Sequence, residues 1–348
     1  MENSNSTQHT GIILLNLGTP DTPEPRAIRR FLASFLADKK VIQLPRLIWL
    51  PILYGFILPF RPRKIAPLYA SVWGNGDGPM RSIGKKLAAS LQQKLNQQAT
   101  NHKHHVVLGM TYGNPSLQQA FTDLNRHGCE HIIILPLFPQ YSDTSTGASF
   151  DAVERALAKV KVNATLHFIR DYYKHPLYIS ALVTHIQKFW QANGIGLAKE
   201  NNSKKPKLLM SFHGIPQSYA DKGDPYQQQC ETTAGLIIEK ISATMGLSKS
   251  QCARSYQSRF GKATWIKPYT DQTLAEWGEK GLDEVVVICP GFAVDCLETL
   301  QEIASENKEI FQQAGGKTFH YIPALNDSAE HADLLFDLVI NQATEEKK

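Results

Sequence analysis

Histidine and carboxylate side chains mark the stretches of this sequence whose residue types could do chemistry. His213 ends an apolar run of strand type that begins at Lys207, and Gly214 follows it directly. Because Gly214 and the nearby Pro216 terminate regular structure, His213 is expected at the carboxyl end of a strand. Ligands bind at that edge in open α/β sheets. A histidine packed into the core at a strand end is the alternative, which this stretch alone leaves open.

Three acidic residues form the second stretch. Asp295, Glu298 and Glu302 are spaced i, i+3 and i+7, which predicts that they share one face of a helix. Carboxylates packed on one stripe need a cation, a proton or solvent nearby. The alternative is a capping box with Asp295 as the N-cap, although Glu302 lies beyond such a cap. A histidine nitrogen opposite carboxylate oxygens suits a divalent metal such as Fe(II) or Zn(II), and equally suits proton relay.

Composition and charge narrow the classes of protein. The chain has 348 residues, 42% of them hydrophobic, and a net charge of +5 without long basic blocks. This predicts about two domains and no nucleic-acid partner. The five cysteines are scattered and form no C-x-x-C pair, which favours a reducing, cytoplasmic compartment over a disulfide framework or a structural zinc site. The sequence lacks a Walker loop, a G-x-S-x-G motif and a dinucleotide-binding glycine motif after its first strand.

Strand-type and helix-type segments alternate along the chain and predict an α/β fold. The second half repeats the signals of the first, which indicates two similar lobes, and the first half carries an insertion of about 48 residues. The histidines in the polar linker before the second strand, His102, His104 and His105, are expected to be solvated. The predicted divisions are a disordered N-terminus at 1–10, an N-terminal lobe at 11–180, a C-terminal lobe at 181–330, and a final helix with a charged tail at 331–348.

An apolar stretch lies inside the insertion, which covers about residues 39–78. Residues 41–60 are mostly apolar, but three prolines and Arg46 interrupt them, and basic residues flank both ends. A membrane span, a lip that dips into the bilayer interface and a long buried loop are the three alternatives. The prolines and the flanking charges favour the interfacial lip. Peripheral contact with the inner face of the cell membrane is then expected.

Four motifs together resemble the ferrochelatase family, from about Gly11 to Glu330. They are Leu14–Pro20, Phe138–Ser142, Ser211–Pro216 and the Asp295-x-x-Glu298-Thr299-Leu300 stretch. The resemblance implies two chelatase-type lobes, each a parallel sheet flanked by helices, with a porphyrin cleft between them. It implies a lyase that inserts Fe(II) into protoporphyrin IX, the last step of haem biosynthesis, with release of two protons. Iron and protoporphyrin are thus the expected partners of a chain that is expected to be a monomer.

The resemblance also implies roles for individual residues. His213 and Glu298 would be the catalytic and metal-binding pair, and Asp295 and Glu302 would form a proton or metal path. The residues expected to line the porphyrin are Tyr112, Tyr141, Ile65 and Tyr69.

Three positions depart from the family pattern. Thr111 stands where many members carry Arg, which weakens the expectation of a propionate contact there. Cys296 stands where animal members carry His. Asp143 replaces a cysteine that ligates an iron–sulfur cluster in animal members, and no cysteine follows Cys296, so no cluster is expected. The competing functions are another tetrapyrrole metal chelatase, using cobalt or nickel, and a non-catalytic haem or siderophore carrier, which would not need the acidic stripe.

Overall fold

Two four-stranded parallel sheets organise the chain. The computed structural model describes residues 8–74, 76–98, 102–160, 162–195, 205–261 and 263–345. The first sheet contains β1 (Gln8–Asn16), β2 (His102–Met110), β3 (His131–Pro136) and β4 (Thr165–Phe168), in the order β2-β1-β3-β4. The second contains β5 (Lys207–His213), β6 (Cys252–Gln257), β7 (Glu284–Ile288) and β8 (Thr318–Ile322), in the order β6-β5-β7-β8. The identical order confirms the predicted α/β fold with two similar lobes.

Helices connect the strands of both sheets. In the first half they are α1 (Pro25–Leu36), α2 (Arg46–Ile52), α3 (Leu58–Val72), α4 (Pro79–Asn96), α5 (Leu117–Arg126) and α6 (Ala148–Val160). The later ones are α7 (Pro176–Ala192), α8 (Gln217–Asp221), α9 (Tyr226–Met245), α10 (Thr270–Glu279), α11 (Lys308–Gln313) and α12 (Ala329–Glu345). Three stretches are π-helical, namely Leu53–Ile57, Asp143–Gly147 and Glu298–Asn307, and Lys249–Gln251 is a 3₁₀ turn. Four helices join β1 to β2, whereas α8 and α9 join β5 to β6.

The chain divides into two compact units, and the division is not a single cut. The first unit comprises Met1–Phe138, Asp143–Asp171 and Asp327–Lys348; the second comprises Pro139–Ser142 and Tyr172–Asn326. The expected boundary at residues 180/181 falls inside α7. The final helix α12 belongs to the first unit. Its Asp333 carboxylate forms an ion pair with the Lys94 ammonium group of α4 at 2.6 Å.

Buried aliphatic side chains form the core of each unit. Ile12 to Leu15 in β1 are fully buried, because helices cover both faces of a parallel sheet. One face of the first sheet packs on Phe121 and Leu124 of α5. In the second unit, Leu209 and Val287 pack with Phe311 of α11. The continuous apolar runs in the sequence therefore correspond to central strands.

Two expectations at the start of the chain need correction. Residues 1–7 lie outside the described residues, but Gln8, His9 and Thr10 form the beginning of β1 and are not disordered. Helix-start signals in the sequence predict Thr22 as the cap of the first helix, but this helix begins at Pro25 and has Glu24 as its N-cap. Proline is favoured in the first helical turn because its missing N–H has no partner there. The stretch 193–205 is rich in Gly, Asn, Ser and Lys, which predicts a surface connection, and most of it also lies outside the described residues.

The inserted apolar stretch is helical, which its prolines did not suggest. A continuous helical run extends through α2, the π-helical Leu53–Ile57 and α3, with Pro51 inside α2. The wider π turn follows Pro51 directly, and such turns accommodate a locally broken hydrogen-bond ladder. Trp49, Leu53 and Leu58 point into the unit and are buried, and the Trp49 indole donates to the Leu36 carbonyl at 2.7 Å.

The opposite side of this run is exposed and apolar. Its large exposed side chains are Leu47, Ile48, Ile52, Tyr54, Phe56 and Phe60, with Leu47 92% exposed, and Leu44 just before the run is exposed as well. The buried-loop alternative is therefore wrong. Within the described part of the chain, no helix is long and apolar enough to cross a membrane.

The histidines before residue 106 form part of β2 and are not all solvated. His104 is 8% exposed. The His9 and His105 rings, from β1 and β2, are joined by a 2.9 Å hydrogen bond, and His127 stacks on His105 at 4.2 Å between ring centroids. Burial, followed by the charges of His102 and His105, lowers the pKa of His104 to about 4. The parallel register of β2 on β1 places these rings together, which no local sequence signal could reveal.

The stability of the protein is expected to fall between pH 6.5 and pH 4 because of His104. Its folded pKa of about 4 lies below the unfolded value near 6.5, so the unfolded chain binds more protons in this window. The contribution of neutral His104 to the free energy of unfolding is fully present above pH 6.5. As the pH falls to 4, about 3 kcal/mol of this stability is lost. Urea unfolding of His104→Leu should show a shallower pH dependence. His131→Gln, which removes an exposed imidazole from β3, is the control, and equal slopes for His104→Leu and the parent would contradict the assignment.

Candidate active site

Polar residues lie at or just after the carboxyl ends of three neighbouring strands of the second sheet. His213 is the last residue of β5, Ser258 follows the last residue of β6, and the acidic π-helix Glu298–Asn307 follows β7. β5 pairs in parallel with both β6 and β7. Their carboxyl ends therefore meet at the same edge, as predicted for His213.

His213 presents one ring nitrogen with a lone pair. Its Nδ1 lies 2.6 Å from the carbonyl oxygen of Gly214. A carbonyl only accepts hydrogen bonds, so Nδ1 carries a proton, and in the neutral tautomer of the ring the lone pair is on Nε2. The half-buried ring lies beside Phe292, with 6.4 Å between ring centroids. A fixed imidazole with a basic Nε2 can accept a proton or bind a metal ion.

The acidic helix differs from the helix that the spacing predicted. It is π-helical, begins at Glu298, and has Leu297 as an N-cap that makes no side-chain capping bond. The capping-box interpretation is therefore wrong. Asp295 precedes the helix, so only Glu298 and Glu302 of the three acids share it. Isolated π turns are common at functional sites, which makes a ten-residue π-helix at this edge notable.

Glu302 has its carboxylate held by the end of β6. The Ser258 N–H donates to Oε1 at 2.7 Å, and the Ser258 hydroxyl donates to Oε2 at 2.5 Å. Burial raises the pKa of Glu302; the Ser258 hydrogen bonds and the positive charge of His213 oppose this shift, and the charge of Glu298 adds to it. His213, Glu298 and Glu302 thus influence one another electrostatically, and Glu302 is readier to hold a proton than an exposed glutamate.

Asp295 is a buried carboxylate with its own set of partners. It is 4% exposed and accepts hydrogen bonds from the Tyr321 hydroxyl at 2.6 Å, the Asn326 amide at 2.7 Å and the Thr299 hydroxyl at 2.9 Å. The backbone N–H of Ala324 adds a longer contact at 3.3 Å. Apart from Thr299 of the π-helix, these donors lie in β8 or just after it. They tie the segment before the π-helix to that strand, which favours a role for Asp295 in positioning the helix.

The residues expected to line a porphyrin have varied exposure. Tyr112, in the first unit, is 6% exposed and packs on Phe35; burial, followed by the charge of Asp38, raises the pKa of its phenol far above the usual range. Tyr69 of α3 is 8% exposed, and Ile65 on the same helix is half-buried. Tyr141 belongs to the second unit, where its N–H donates to Gln229 at 2.7 Å. Their contacts with a porphyrin remain a prediction.

The three departures from the family pattern have defined surroundings. The Thr111 hydroxyl lies 2.7 Å from that of Ser149 and also contacts the Asn16 carbonyl. Asp143 begins a π-helical turn, and Cys296 is buried. Among the residues that the structure describes, no group of three or more His, Cys, Asp or Glu side chains is arranged to hold a metal ion. The expected absence of an iron–sulfur cluster stays a prediction.

Several residues that shape this edge were missed from the sequence. Gln257 ends β6 and Ser258 follows it, and polar residues at the carboxyl end of a strand-type segment were the available signal. Tyr321 lies in β8 and Asn326 follows that strand, 26 and 31 residues after Asp295. Nothing local in the sequence identifies them as its partners.

Comparison with known proteins finds one family along nearly the whole chain. The family model Ferrochelatase matches residues 9–343. A ferrochelatase of Acinetobacter baylyi is 48% identical over 328 residues, covering 94% of this chain and 92% of its own. A ferrochelatase of Vibrio parahaemolyticus is 47% identical, covering 94% of this chain and 97% of its own.

Solved structures with the same fold are more distant in sequence. SirB from Bacillus subtilis with Fe3+ has a TM-score of 0.56 at 9% identity, with 98% of both chains covered. A multi-domain protein of Deinococcus radiodurans with structural similarity to chelatases has a TM-score of 0.50 at 13% identity, covering 95% of this chain and 55% of its own. These likenesses show the two-lobed chelatase fold. The family model and the relatives that are 47–48% identical show that this chain belongs to the ferrochelatase family.

Proposed function

We propose that this protein inserts Fe(II) into protoporphyrin IX at the carboxyl edge of its second sheet, with His213 and Glu298 as the metal-binding and catalytic pair. The observation that carries the proposal is the fixed His213 imidazole, whose basic Nε2 shares its surroundings with two acids of the π-helix. Imidazole nitrogen and carboxylate oxygen together suit a borderline divalent metal such as Fe(II).

The proton balance gives each group a task. Iron replaces two pyrrole N–H protons, so both protons must leave as the metal enters. His213 Nε2 accepts the two pyrrole protons one after the other and passes each to the Glu302 carboxylate, which frees the Nε2 lone pair again. The negative charges of Glu298 and Glu302 stabilise the imidazolium that forms in each transfer. Glu302, with its raised pKa, receives protons and passes them outward. Asp295 belongs to this acidic group by position, but its accepted hydrogen bonds favour anchoring the helix over carrying protons.

An anaerobic assay tests the reaction. Purified protein is mixed with protoporphyrin IX and ferrous iron, and the absorbance change from free porphyrin to protohaem is followed. Catalytic turnover beyond the protein concentration is expected. A carrier would instead bind protohaem in a fixed ratio without turnover. Parallel reactions with cobalt or nickel, and with a tetracarboxylate porphyrin, identify a different chelatase if those substrates react faster.

A second proposal concerns the exposed apolar side of α2 and α3. This surface carries Leu47, Phe56 and Phe60, each more than two-thirds exposed, and the exposed basic residues Arg61, Arg63 and Lys64 follow it. An apolar face with a basic border fits the interface of a bilayer that contains anionic lipids. Peripheral binding would place the enzyme where its poorly soluble porphyrin substrate collects.

Liposome flotation should detect this contact. Wild-type protein is expected to float with anionic vesicles, and the triple variant Leu47→Ser, Phe56→Ser, Phe60→Ser is expected to lose most of that binding, because about 25 cal/mol is lost per Å² of apolar surface removed. The control is a double variant, Leu177→Ser with Phe260→Ser, which changes other exposed apolar residues. Flotation of the triple variant at the wild-type level contradicts the proposal.

A further inference from the structure

The dipeptide Gln257–Ser258, at the end of β6, is hydrogen-bonded both to the turn that follows His213 and to the acidic π-helix. The Gln257 carbonyl accepts a hydrogen bond from the N–H of Gly214, the residue after His213, at 2.8 Å. The Gln257 side-chain amide donates to the backbone carbonyl of Glu298 at 3.1 Å. Ser258 donates twice to the carboxylate of Glu302. Two consecutive residues therefore connect the histidine turn to the acidic helix.

A buried hydroxyl network fixes the orientation of the Gln257 amide. The Ser211 hydroxyl donates to Gln257 Oε1 at 2.6 Å, and the Thr270 hydroxyl lies 2.8 Å from Ser211 and 2.9 Å from Ser255. All four side chains are at most 4% exposed. Because Oε1 receives the Ser211 hydroxyl, the NH₂ group of the amide must face Glu298. Ser211 is also two residues before His213 on β5, so the network joins the strand of the histidine to the acidic helix.

Ser258 adopts a backbone conformation that serine rarely takes. Its φ is +67°, in the left-handed region where a side chain costs energy. Such residues cluster at functional sites, where surrounding contacts hold them in place. Here the two donated hydrogen bonds to Glu302 hold it, and this conformation aims both the N–H and the hydroxyl at one carboxylate.

We propose that Gln257 and Ser258 are positioning residues that set the separation between the His213 imidazole and the carboxylates of Glu298 and Glu302. They act through hydrogen bonds to those residues and do not touch the metal or the porphyrin. The inference rests on the proposed function, because it assumes that those three side chains bind or deprotonate the substrates. A small shift of such groups lowers the rate strongly, since catalysis depends on their fixed geometry.

Substitutions at Ser258 separate the hydroxyl from the backbone strain. Ser258→Gly removes the hydroxyl and relieves the positive φ, so its stability should equal or exceed that of the wild type. Ser258→Ala removes the hydroxyl but keeps the strain. Ser258→Thr keeps the hydroxyl and adds a branched side chain that disfavours this φ. If Ser258 only supports the fold, activity follows stability across this series; if it positions Glu302, activity follows the hydroxyl.

The measured quantities are kcat and the KM values for ferrous iron and for protoporphyrin, at a temperature where all variants are folded. Ser258→Gly and Ser258→Ala are expected to lose about tenfold to a hundredfold in kcat/KM for iron, the effect of one hydrogen bond to a charged group, with the porphyrin KM within about twofold of wild type. Ser258→Thr should recover most activity. Gln257→Glu, which keeps the acceptor for Ser211 and removes the donor to Glu298, should show a similar loss for iron.

Ser250→Ala, at an exposed serine near the start of β6, is the control and should match the wild type. Wild-type kinetics in Ser258→Gly, with an active parent protein, overturn the positioning role and leave the proposed function intact. Activity that follows stability, with Ser258→Gly the most active variant, overturns it as well. A parent protein that inserts no metal into porphyrin removes the proposed function and this inference with it.

Discussion

Replacement of His213 with alanine is expected to lower kcat for iron insertion by roughly 10³-fold while protoporphyrin binding changes by less than about threefold. The imidazole supplies a basic nitrogen at the carboxyl edge of the second sheet. Its Nδ1 contacts the Gly214 carbonyl, so the lone pair is on Nε2. Alanine removes the proton acceptor and a metal ligand together. The apolar contacts that would hold a porphyrin are unaffected, so the loss should appear in turnover and in the iron KM.

Chemical rescue makes this test specific. Added imidazole should restore part of the activity of His213→Ala, because a small free base can occupy the space that the side chain leaves. His185→Ala is the control; it removes a half-buried histidine of α7 that contacts the Pro323 carbonyl at 3.0 Å. Porphyrin binding is followed by fluorescence quenching. Activity within tenfold of the wild type in His213→Ala would contradict the assignment of His213 as catalytic.

The sequence predicts the position of His213 because its signals are local. An apolar run ending in His-Gly-Ile-Pro defines the strand and its end, and a parallel sheet then fixes which edge the residue occupies. The continuous apolar runs at residues 12–15 and 132–135 indicate buried strands in the same way, and they lie in β1 and β3. The repeated order of these signals also indicated two similar lobes, which the matching strand orders confirm.

The surroundings of the acids could not be predicted in the same way. The i, i+3, i+7 spacing assumes an α-helix that includes Asp295, whereas the helix begins at Glu298 and is π-helical. Where a helix begins depends on its partners, and the partners of Asp295 come from a distant segment that contains Tyr321 and Asn326. The hydrogen bonds that Ser258 donates to Glu302 likewise join residues 44 positions apart.

Two further differences have the same origin in tertiary contacts. Histidines expected in a solvated linker became strand residues because β2 pairs with β1 from Gln8 onward. The proline-rich insertion became helical because Trp49, Leu53 and Leu58 bury a shared face, and that burial outweighs the proline penalty. In both cases packing partners that are remote in sequence override the local preference.

Replacement of Asp295 with alanine is expected to reduce the free energy of unfolding by about 3 to 5 kcal/mol, mainly because the second unit becomes less stable. The carboxylate satisfies the Tyr321 hydroxyl, the Asn326 amide and the Thr299 hydroxyl in a buried setting. Its removal leaves these donors without their acceptor, and each buried unsatisfied group costs about 1–3 kcal/mol, partly recovered by relaxation. Urea unfolding followed by tryptophan fluorescence measures the loss.

Two comparisons separate this structural role from the chemistry proposed for its neighbours. Asp283→Ala breaks a surface ion pair with Lys317, at 3.0 Å, and should cost less than about 1 kcal/mol. Glu298→Gln should leave the unfolding free energy within about 1 kcal/mol of wild type but lower the rate of iron insertion, because Glu298 is half-buried and its side chain is assigned to the substrate metal. If Asp295→Ala instead unfolds like the wild type and loses only turnover, then Asp295 acts in the proton path and the anchoring role assigned from its hydrogen bonds is wrong. Asp295 and Glu298 are only three residues apart in the sequence, yet different effects are expected from their substitution. Their hydrogen-bond partners account for this difference, because those of Asp295 hold the helix in place, whereas the side chain of Glu298 is assigned to the substrate metal.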